Sequence, residues 1–400
     1  MIYMRIYLLG INSFICKNIY VTLKKRNNNE IIYCLNHNDI DLISNAQNED
    51  IIINCCGINR SDNENEYNEG NNIFVQNMLK KLNNFPFIIH FSSLLIYGFE
   101  NTDLSMLPPY QQYFIKSKMN AEFYLQQNYI KEKLVIIRPS NIYGYNCEPY
   151  TNNIAVSLIY EKICGIQKIT NINKNCIRNF LSISGMVNEI INIIDIKKYG
   201  IYNILSNNNV YLDKLLEYIY DGKLPNQINL INDSQSIPNL KNENIIGENI
   251  IVNENLQEQL INTQKQMDKY IKLKKMIPYE HLNVLEQPRG NMVEISDLNA
   301  NRLYTITITS NSIRGNHYHY KQIEHFYINH GKIIFLLSHC DDPNILFMII
   351  GKKYDKIIVN PNIIHTLVND FPQDLSEIFV LSTQKFINDQ IPDTKYINII

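Results

Sequence analysis

The feature of this sequence that most restricts its fold is a change of hydrophobic period partway along the chain. Over the first two hundred residues, short β-branched runs at 3–9, 31–36, 51–55, 87–93 and 134–138 alternate with helical patterns at 13–25, 73–82, 111–127 and 153–164. Nearly continuous apolar strands separated by helices predict a doubly wound parallel α/β sheet covered on both faces. After His281 the pattern becomes short alternating strands separated by Asn, Gly, Pro and Asp, which predicts an all-β sandwich or barrel. Between them, residues 221–279 are rich in Asn, Gln and Lys and read as a connecting region that completes the first domain or serves as a linker. The expected domains are therefore 1–220 and 280–400 around that connector, a division that suits a chain of 400 residues.

Composition removes several function classes. A formal charge of -2 gives no general electrostatic attraction to nucleic acid or an anionic membrane. The eight cysteines are scattered with no C-x-x-C spacing, which suits a reduced, cytoplasmic protein better than a disulfide scaffold. The apolar start is broken by Gly10 and Asn12 and reads as a first strand, not a signal peptide. No apolar stretch is long enough to span a bilayer.

Chemistry-bearing residues in the first half follow the predicted strands. Gly10 and Ser13 occupy the turn after strand one, Asn54-Cys-Cys-Gly57 follows strand three, and Phe91-Ser-Ser93 runs on to Tyr97-Gly98. Arg138-Pro139-Ser-Asn141-Ile-Tyr143-Gly144 and Arg178-Asn-Phe180 come later. In order and spacing these motifs resemble those of extended short-chain dehydrogenases/reductases acting on nucleotide sugars, and the resemblance covers about residues 1–220. It implies a Rossmann-type fold with Gly10, Ser13, Phe14, Ile15, Gly57 and Pro139 lining a dinucleotide. It also implies that Ser93 hydrogen-bonds the reacting sugar oxygen and Lys118 holds the nicotinamide ribose, with Asn141 and Arg178 facing the substrate diphosphate. Strand two ends without a carboxylate, at Leu35-Asn-His-Asn38, which leans toward NADP over NAD.

One departure matters for the reaction. The family carries Tyr-x-x-x-Lys on one helical face, and here the residue four before Lys118 is Phe114, which has no proton to give. Tyr113 lies about 100° further round an ideal helix. It takes the catalytic place only if the helix start is irregular, and otherwise reads as an amphipathic surface tyrosine.

The second half concentrates histidine: six of the nine lie between 317 and 365. His317-Tyr-His319, followed by Glu324 and Gly331, resembles the first metal motif of cupins, and the run from Asn360 through Asn362 and His365 to Asn369 resembles the second. On a strand His317 and His319 share a face, Glu324, on the next strand or its entrance, can close the same site from beside them, and His365 is the histidine of the second motif. Asn360 and Asn362 stand where that pattern has proline and glycine, and asparagine tolerates the positive φ such a turn requires. Three imidazoles and a carboxylate suit a divalent transition metal, with zinc favoured, in an all-β cupin (jelly-roll) barrel. His325, His330 and His339 read as surface or packing residues.

The pairing of the two halves is similar to the bifunctional capsular-polysaccharide enzymes of the UDP-N-acetyl-L-fucosamine pathway, a resemblance that includes Gly57-Ile-Asn-Arg60, Arg289-Gly290 and Arg314–His317. That resemblance implies C3 epimerisation of a UDP-4-keto-6-deoxy-N-acetylhexosamine in the cupin domain and NADPH-dependent C4 reduction in the other. Tyr318, Tyr320 and Tyr327 are nearby candidates for the epimerase base, and analogy suggests a homodimer. Two other readings stand beside it: an epimerase whose reductase domain only binds cofactor, and a non-enzymatic nucleotide- or sugar-binding protein.

Overall fold

The computed structural model describes residues 4–26, 30–97, 105, 107–151, 153–231, 247–287, 290–295, 300–372, 375–384 and 394–400. Gly98 and Arg289, each part of a motif above, lie outside the described residues. The chain divides into two compact units, Met1–Ile31 with Leu35–Met267, and Ile32–Cys34 with Asp268–Ile400.

The first part runs β1 (Arg5–Leu9), α1 (Phe14–Lys25), β2 (Ile31–Leu35), β3 (Ile51–Asn54), α2 (Glu64–Tyr67), a π turn (Asn68–Ile73) and α3 (Phe74–Lys81). It continues through β4 (Phe87–Phe91), α4 (Pro109–Asn128), β5 (Leu134–Pro139), β6 (Asn141–Tyr143), α5 (Ile154–Cys164), β7 (Asn171–Asn173), β8 (Ile177–Ser182) and α6 (Ile183–Ile196). Then follow β9 (Gly200–Ser206), β10 (Asn209–Tyr211), α7 (Leu212–Tyr220), β11 (Asn229–Ile231), β12 (Glu248–Val252) and α8 (Leu256–Lys275).

Seven of these strands form one sheet in the order β12-β9-β5-β4-β3-β1-β2, and every pairing from β12 through to β1 is parallel. Ile6, Leu8, Ile51–Ile53, Ile88, Ile89 and Val135–Ile137 are all fully buried, because helices cover both faces of a parallel sheet. The result is a Rossmann-like sheet. From β1 the chain goes to β2 on one side and returns to β3 on the other, so the strand order reverses between β1 and β3. In such sheets ligands bind outside the carboxyl ends at that reversal. The loops found there are those of Gly10 and Cys55–Gly57.

The polar 221–279 stretch supplies β12, which joins the sheet parallel to β9, and the single long helix α8. Its composition hid this because β12 is an edge strand with an exposed face. In α8 only a narrow stripe of Leu256, Leu260, Thr263, Met267 and Leu273 is buried. No helix among the described residues is long and apolar enough to cross a membrane.

The second part adds β13 (Tyr279–His281), the hairpin β14 (Val284–Gln287) with β15 (Gly290–Val293), and β16 (Arg302–Thr309), β17 (Ser312–His319), β18 (Glu324–His330) and β19 (Lys332–His339). It closes with β20 (Asp342–Lys352), β21 (Asp355–Val359), β22 (Ile363–Asn369), β23 (Leu375–Ser382) and β24 (Thr394–Tyr396). These make two antiparallel five-stranded sheets, β13-β21-β18-β23-β16 and β20-β19-β22-β17-β24. Phe326 of the first and Phe335 of the second meet edge to face with ring centroids 5.4 Å apart, so the inner faces of the sheets pack together.

Candidate functional site

The second unit gathers four donors from three strands. His317 and His319 lie two residues apart near the end of β17, but the strand does not run straight to them. Gly315 (φ 97) and Asn316 (φ 56) form a bulge at which β17 shifts register against β22. Gly315 faces Thr366 before the bulge, and His317 faces His365 after it. A Cβ on Gly315 would stand 2.4 Å from the His365 carbonyl oxygen, so this approach of two backbones requires glycine. Beyond the strand, Asn362 adopts φ 66 and its N–H donates to the His319 carbonyl at 2.7 Å. Asparagine therefore fills the left-handed position of the turn, as its tolerance of that region allows.

Glu324 opens β18 and points at the same place. One ligand atom from each of His317, His319, Glu324 and His365 lies within 4.8 Å of all the others. His365 Nε2 is 3.2 Å and His319 Nε2 is 3.5 Å from Glu324 Oε2. The His317 ring is 4.4 Å from that of His365 and 5.0 Å from that of His319, centroid to centroid. His319, Glu324 and His365 are buried and His317 is half-buried.

Burial, with the neighbouring His365 and His319, pushes His317 down to about 4, so its imidazole is neutral at physiological pH. Burial alone would raise the Glu324 carboxyl, but His319 and His365 outweigh it and hold the group well below the usual carboxylate range. Two buried atoms here, His317 Nδ1 and Glu324 Oε2, have no hydrogen-bond partner. Unsatisfied buried polar atoms are costly, and these two sit among nitrogen and oxygen lone pairs. A divalent transition metal is the group that such a donor set fits.

Around the donors the structure adds residues that the motifs do not contain. Tyr304 Oη donates to Glu324 Oε1 at 2.6 Å and Gln322 Nε2 donates to the same oxygen at 2.7 Å. Thr394 Oγ1 lies 3.1 Å from His319 Nδ1, and His365 Nδ1 donates to the Ile363 carbonyl at 3.3 Å. A carbonyl only accepts, so the free lone pair of His365 is on Nε2, the atom facing Glu324. No sequence spacing pointed to Tyr304 or Thr394, because strand register alone brings them here.

The tyrosines expected near the site stand differently. Tyr318 alternates with His317 and His319 on β17 and turns away from them, its hydroxyl 3.1 Å from that of Tyr320. Tyr327 follows Phe326, whose ring is 5.6 Å from His365, and so faces the other side of β18. Strand alternation thus removes Tyr318 and Tyr327 from the face the base would need. A second donor group at the β19–β20 turn, His339, Cys340 and Asp341, also lies within 4.8 Å, but His339 Nδ1 already accepts the Asp341 N–H at 3.3 Å.

In the first unit Gly10, Gly57, Ser93 and Pro139 stand at or just beyond the carboxyl ends of β1, β3, β4 and β5, whereas Lys118 lies within α4 and Asn141 and Arg178 at the starts of β6 and β8. Gly10 has φ 86, and a Cβ there would stand 3.0 Å from Cys56 N, so the turn after β1 passes tightly under the loop after β3. Ser13 caps α1, accepting the Cys16 N–H at 3.2 Å, and Phe14 and Ile15 form the first helical turn, half-buried. A Cβ on Gly57 would fall 2.7 Å from Asn71 Oδ1 and 2.9 Å from Lys118 Nζ. Lys118 Nζ donates to the Phe91 carbonyl at 3.1 Å, and burial pushes its ammonium down to about 8. Ser93 Oγ accepts the Leu95 N–H at 3.1 Å and keeps its own proton to donate. Pro139 is buried at the end of β5, while Asn141 Nδ2 bridges to the Asn179 carbonyl at 3.0 Å and Arg178 donates to the Ile177 carbonyl at 3.0 Å.

Helix α4 is continuous from Pro109, so the irregular start that would let Tyr113 replace Phe114 does not occur. Phe114 stands at the expected tyrosine position, its ring centroid 6.0 Å from Lys118 Nζ and 6.1 Å from the Tyr67 ring. Sequence reasoning missed the buried polar groups behind Lys118. Arg138 forks onto Glu122 with Nε bonds of 3.0 and 3.2 Å, and His90 Nδ1 accepts from Asn54 Nδ2 at 3.1 Å.

No curated protein matches the sequence. Among solved structures, the capsular polysaccharide assembling protein CapF from Staphylococcus aureus is 17% identical, with 98% of this chain and 99% of that chain covered and a TM-score of 0.43. Pal from Bacillus thuringiensis is 16% identical, with 66% of this chain and 98% of that chain covered and a TM-score of 0.50, a likeness of fold. Residues 285–395, which hold all four clustered donors, match the family of the polysaccharide biosynthesis C-terminal domain.

Proposed function

We propose that this chain is a bifunctional enzyme of nucleotide-sugar biosynthesis. Its second unit, closed as a cupin barrel, epimerises C3 of a UDP-4-keto-6-deoxy-N-acetylhexosamine, and its first reduces the C4 ketone with NADPH. The observation that carries this reading is the convergence of His317, His319, Glu324 and His365 within the segment matched to a polysaccharide-biosynthesis domain. Those four residues would hold a zinc ion, which when bound supplies a Lewis acid for the negative charge left on a keto-sugar after C3 loses its proton. The protein's own part is preparation. Burial keeps His317 neutral, so that one ring nitrogen has a lone pair to give, the paired imidazoles keep Glu324 ionised, and Phe326 walls His365 with an apolar ring.

In the first unit, Gly10, Ser13, Phe14, Ile15, Gly57 and Pro139 line the coenzyme, and Lys118 holds its ribose. Ser93 offers its proton to the sugar oxygen, and Asn141 and Arg178 face the diphosphate. Phe114 in a regular α4 favours a second reading, in which this unit binds the coenzyme and the epimerase acts alone. Incubating the protein with the UDP-4-keto sugar and NADPH in D2O separates them. Loss of absorbance at 340 nm supports the bifunctional enzyme, and deuterium uptake at C3 without coenzyme oxidation supports the second reading. Absence of both signals overturns each and leaves a binding protein.

A further inference from the structure

Glu324 is treated unequally by its surroundings. Its Oε1 accepts from Tyr304 Oη at 2.6 Å and from Gln322 Nε2 at 2.7 Å, both short bonds to a buried carboxylate. Its Oε2 is buried without a hydrogen-bond partner and lies 3.2 and 3.5 Å from the Nε2 atoms of His365 and His319. Tyr304 reaches Glu324 across β23: Arg302 and Glu324 both pair with Ser382, and Tyr304 is the next residue on the same face of β16. Gln322 is buried and its amide lies 3.4 Å from His319 Nε2, too long to compete strongly with its bond to Glu324.

We propose that Tyr304 and Gln322 are positioning residues that occupy one oxygen of Glu324, so that it meets the metal through Oε2 alone. The inference rests on reading the four donors as a metal site. Two donors fix the carboxylate plane and consume the lone pairs that a two-oxygen ligand would need. Three imidazoles and one oxygen would make four ligands, so a substrate oxygen would have to enter as a fifth, the place that a second carboxylate oxygen would otherwise take.

Cobalt(II) reports the difference, because its visible absorption is strong in four-coordinate sites and weak when ligands are added. The full chain is loaded with cobalt(II), and Tyr304→Phe, which removes only the hydroxyl, is compared with wild type. The expected result is a weaker visible band as Oε1 swings onto the ion, with affinity for zinc against a chelator lowered about 10–100-fold. A variant spectrum superimposable on wild type overturns the proposal, even if affinity falls, since a general loosening would do that. If Tyr304→Phe does not fold, Gln322→Met is read in the same way. Wild type that binds neither zinc nor cobalt(II) stoichiometrically overturns the metal reading itself, a failure distinct from that of the carboxylate geometry.

Discussion

Replacing Gly315 with alanine strikes the point where β17 is forced against β22. The new Cβ would lie 2.4 Å from the His365 carbonyl oxygen, a contact that real Cβ atoms do not make below 3.0 Å. The two strands must therefore separate by at least the difference, 3.0 − 2.4 = 0.6 Å. Position 315 also has φ 97, and holding a residue with a Cβ in such a conformation costs roughly 1–3 kcal/mol. With overpacking of about 1–3 kcal/mol, the total is on the order of 3 kcal/mol. For a unit of this size that lowers its melting transition by roughly 6–12 °C. The same displacement moves His317 relative to His365, whereas metal sites hold ligand distances to about ±0.2 Å. Zinc affinity should then fall by at least about 10-fold. Thermal denaturation with and without zinc, alongside competition with a chelator, measures both effects. If Gly315→Ala melts like wild type and holds zinc as tightly, the bulge does not set the spacing of the donors and the reasoning fails.

Phe114→Tyr restores a proton donor one helical turn before Lys118 and should raise NADPH oxidation with the keto-sugar by about 100-fold or more. An unchanged rate with coenzyme still bound would place the defect elsewhere, and loss of existing reduction in Tyr113→Phe would make Tyr113 the acid. Acid sensitivity should trace in part to His90, whose buried ring is pushed down to about 3, chiefly by burial and then by the Lys118 charge. Because the unfolded chain protonates it near its ordinary value of about 6.5, its contribution to stability is present above that pH and is lost as pH falls toward 3. Urea midpoints of His90→Gln should fall less steeply than wild type over that window, and parallel curves would show that His90 takes no part.

The two halves of the molecule were legible to different degrees. Strands β1 to β5 were readable from their apolar runs, since a strand buried on both faces is mostly apolar and the polar residues it does carry, such as His90 and Arg138, are paired. Strand β9, with Asn203 at its centre, was not read. The edge strand β12 was not, because one exposed side lets it look like its polar surroundings. The missing tyrosine at Phe114 was plain in the sequence, whereas the fate of Tyr113 waited on the regularity of α4.

What the sequence determined by itself was which donors exist: two histidines at a spacing of two, a glutamate, a later histidine, and glycine or asparagine where the backbone must turn. Tertiary structure alone decided how they meet. A bulge set His317 opposite His365, strand alternation turned Tyr318 and Tyr327 away, and the register of β16, β23 and β18 brought Tyr304 to one oxygen of Glu324. Spacing along one strand fixes which side chains share its face, but contacts between strands depend on register, which arises only when distant segments pair.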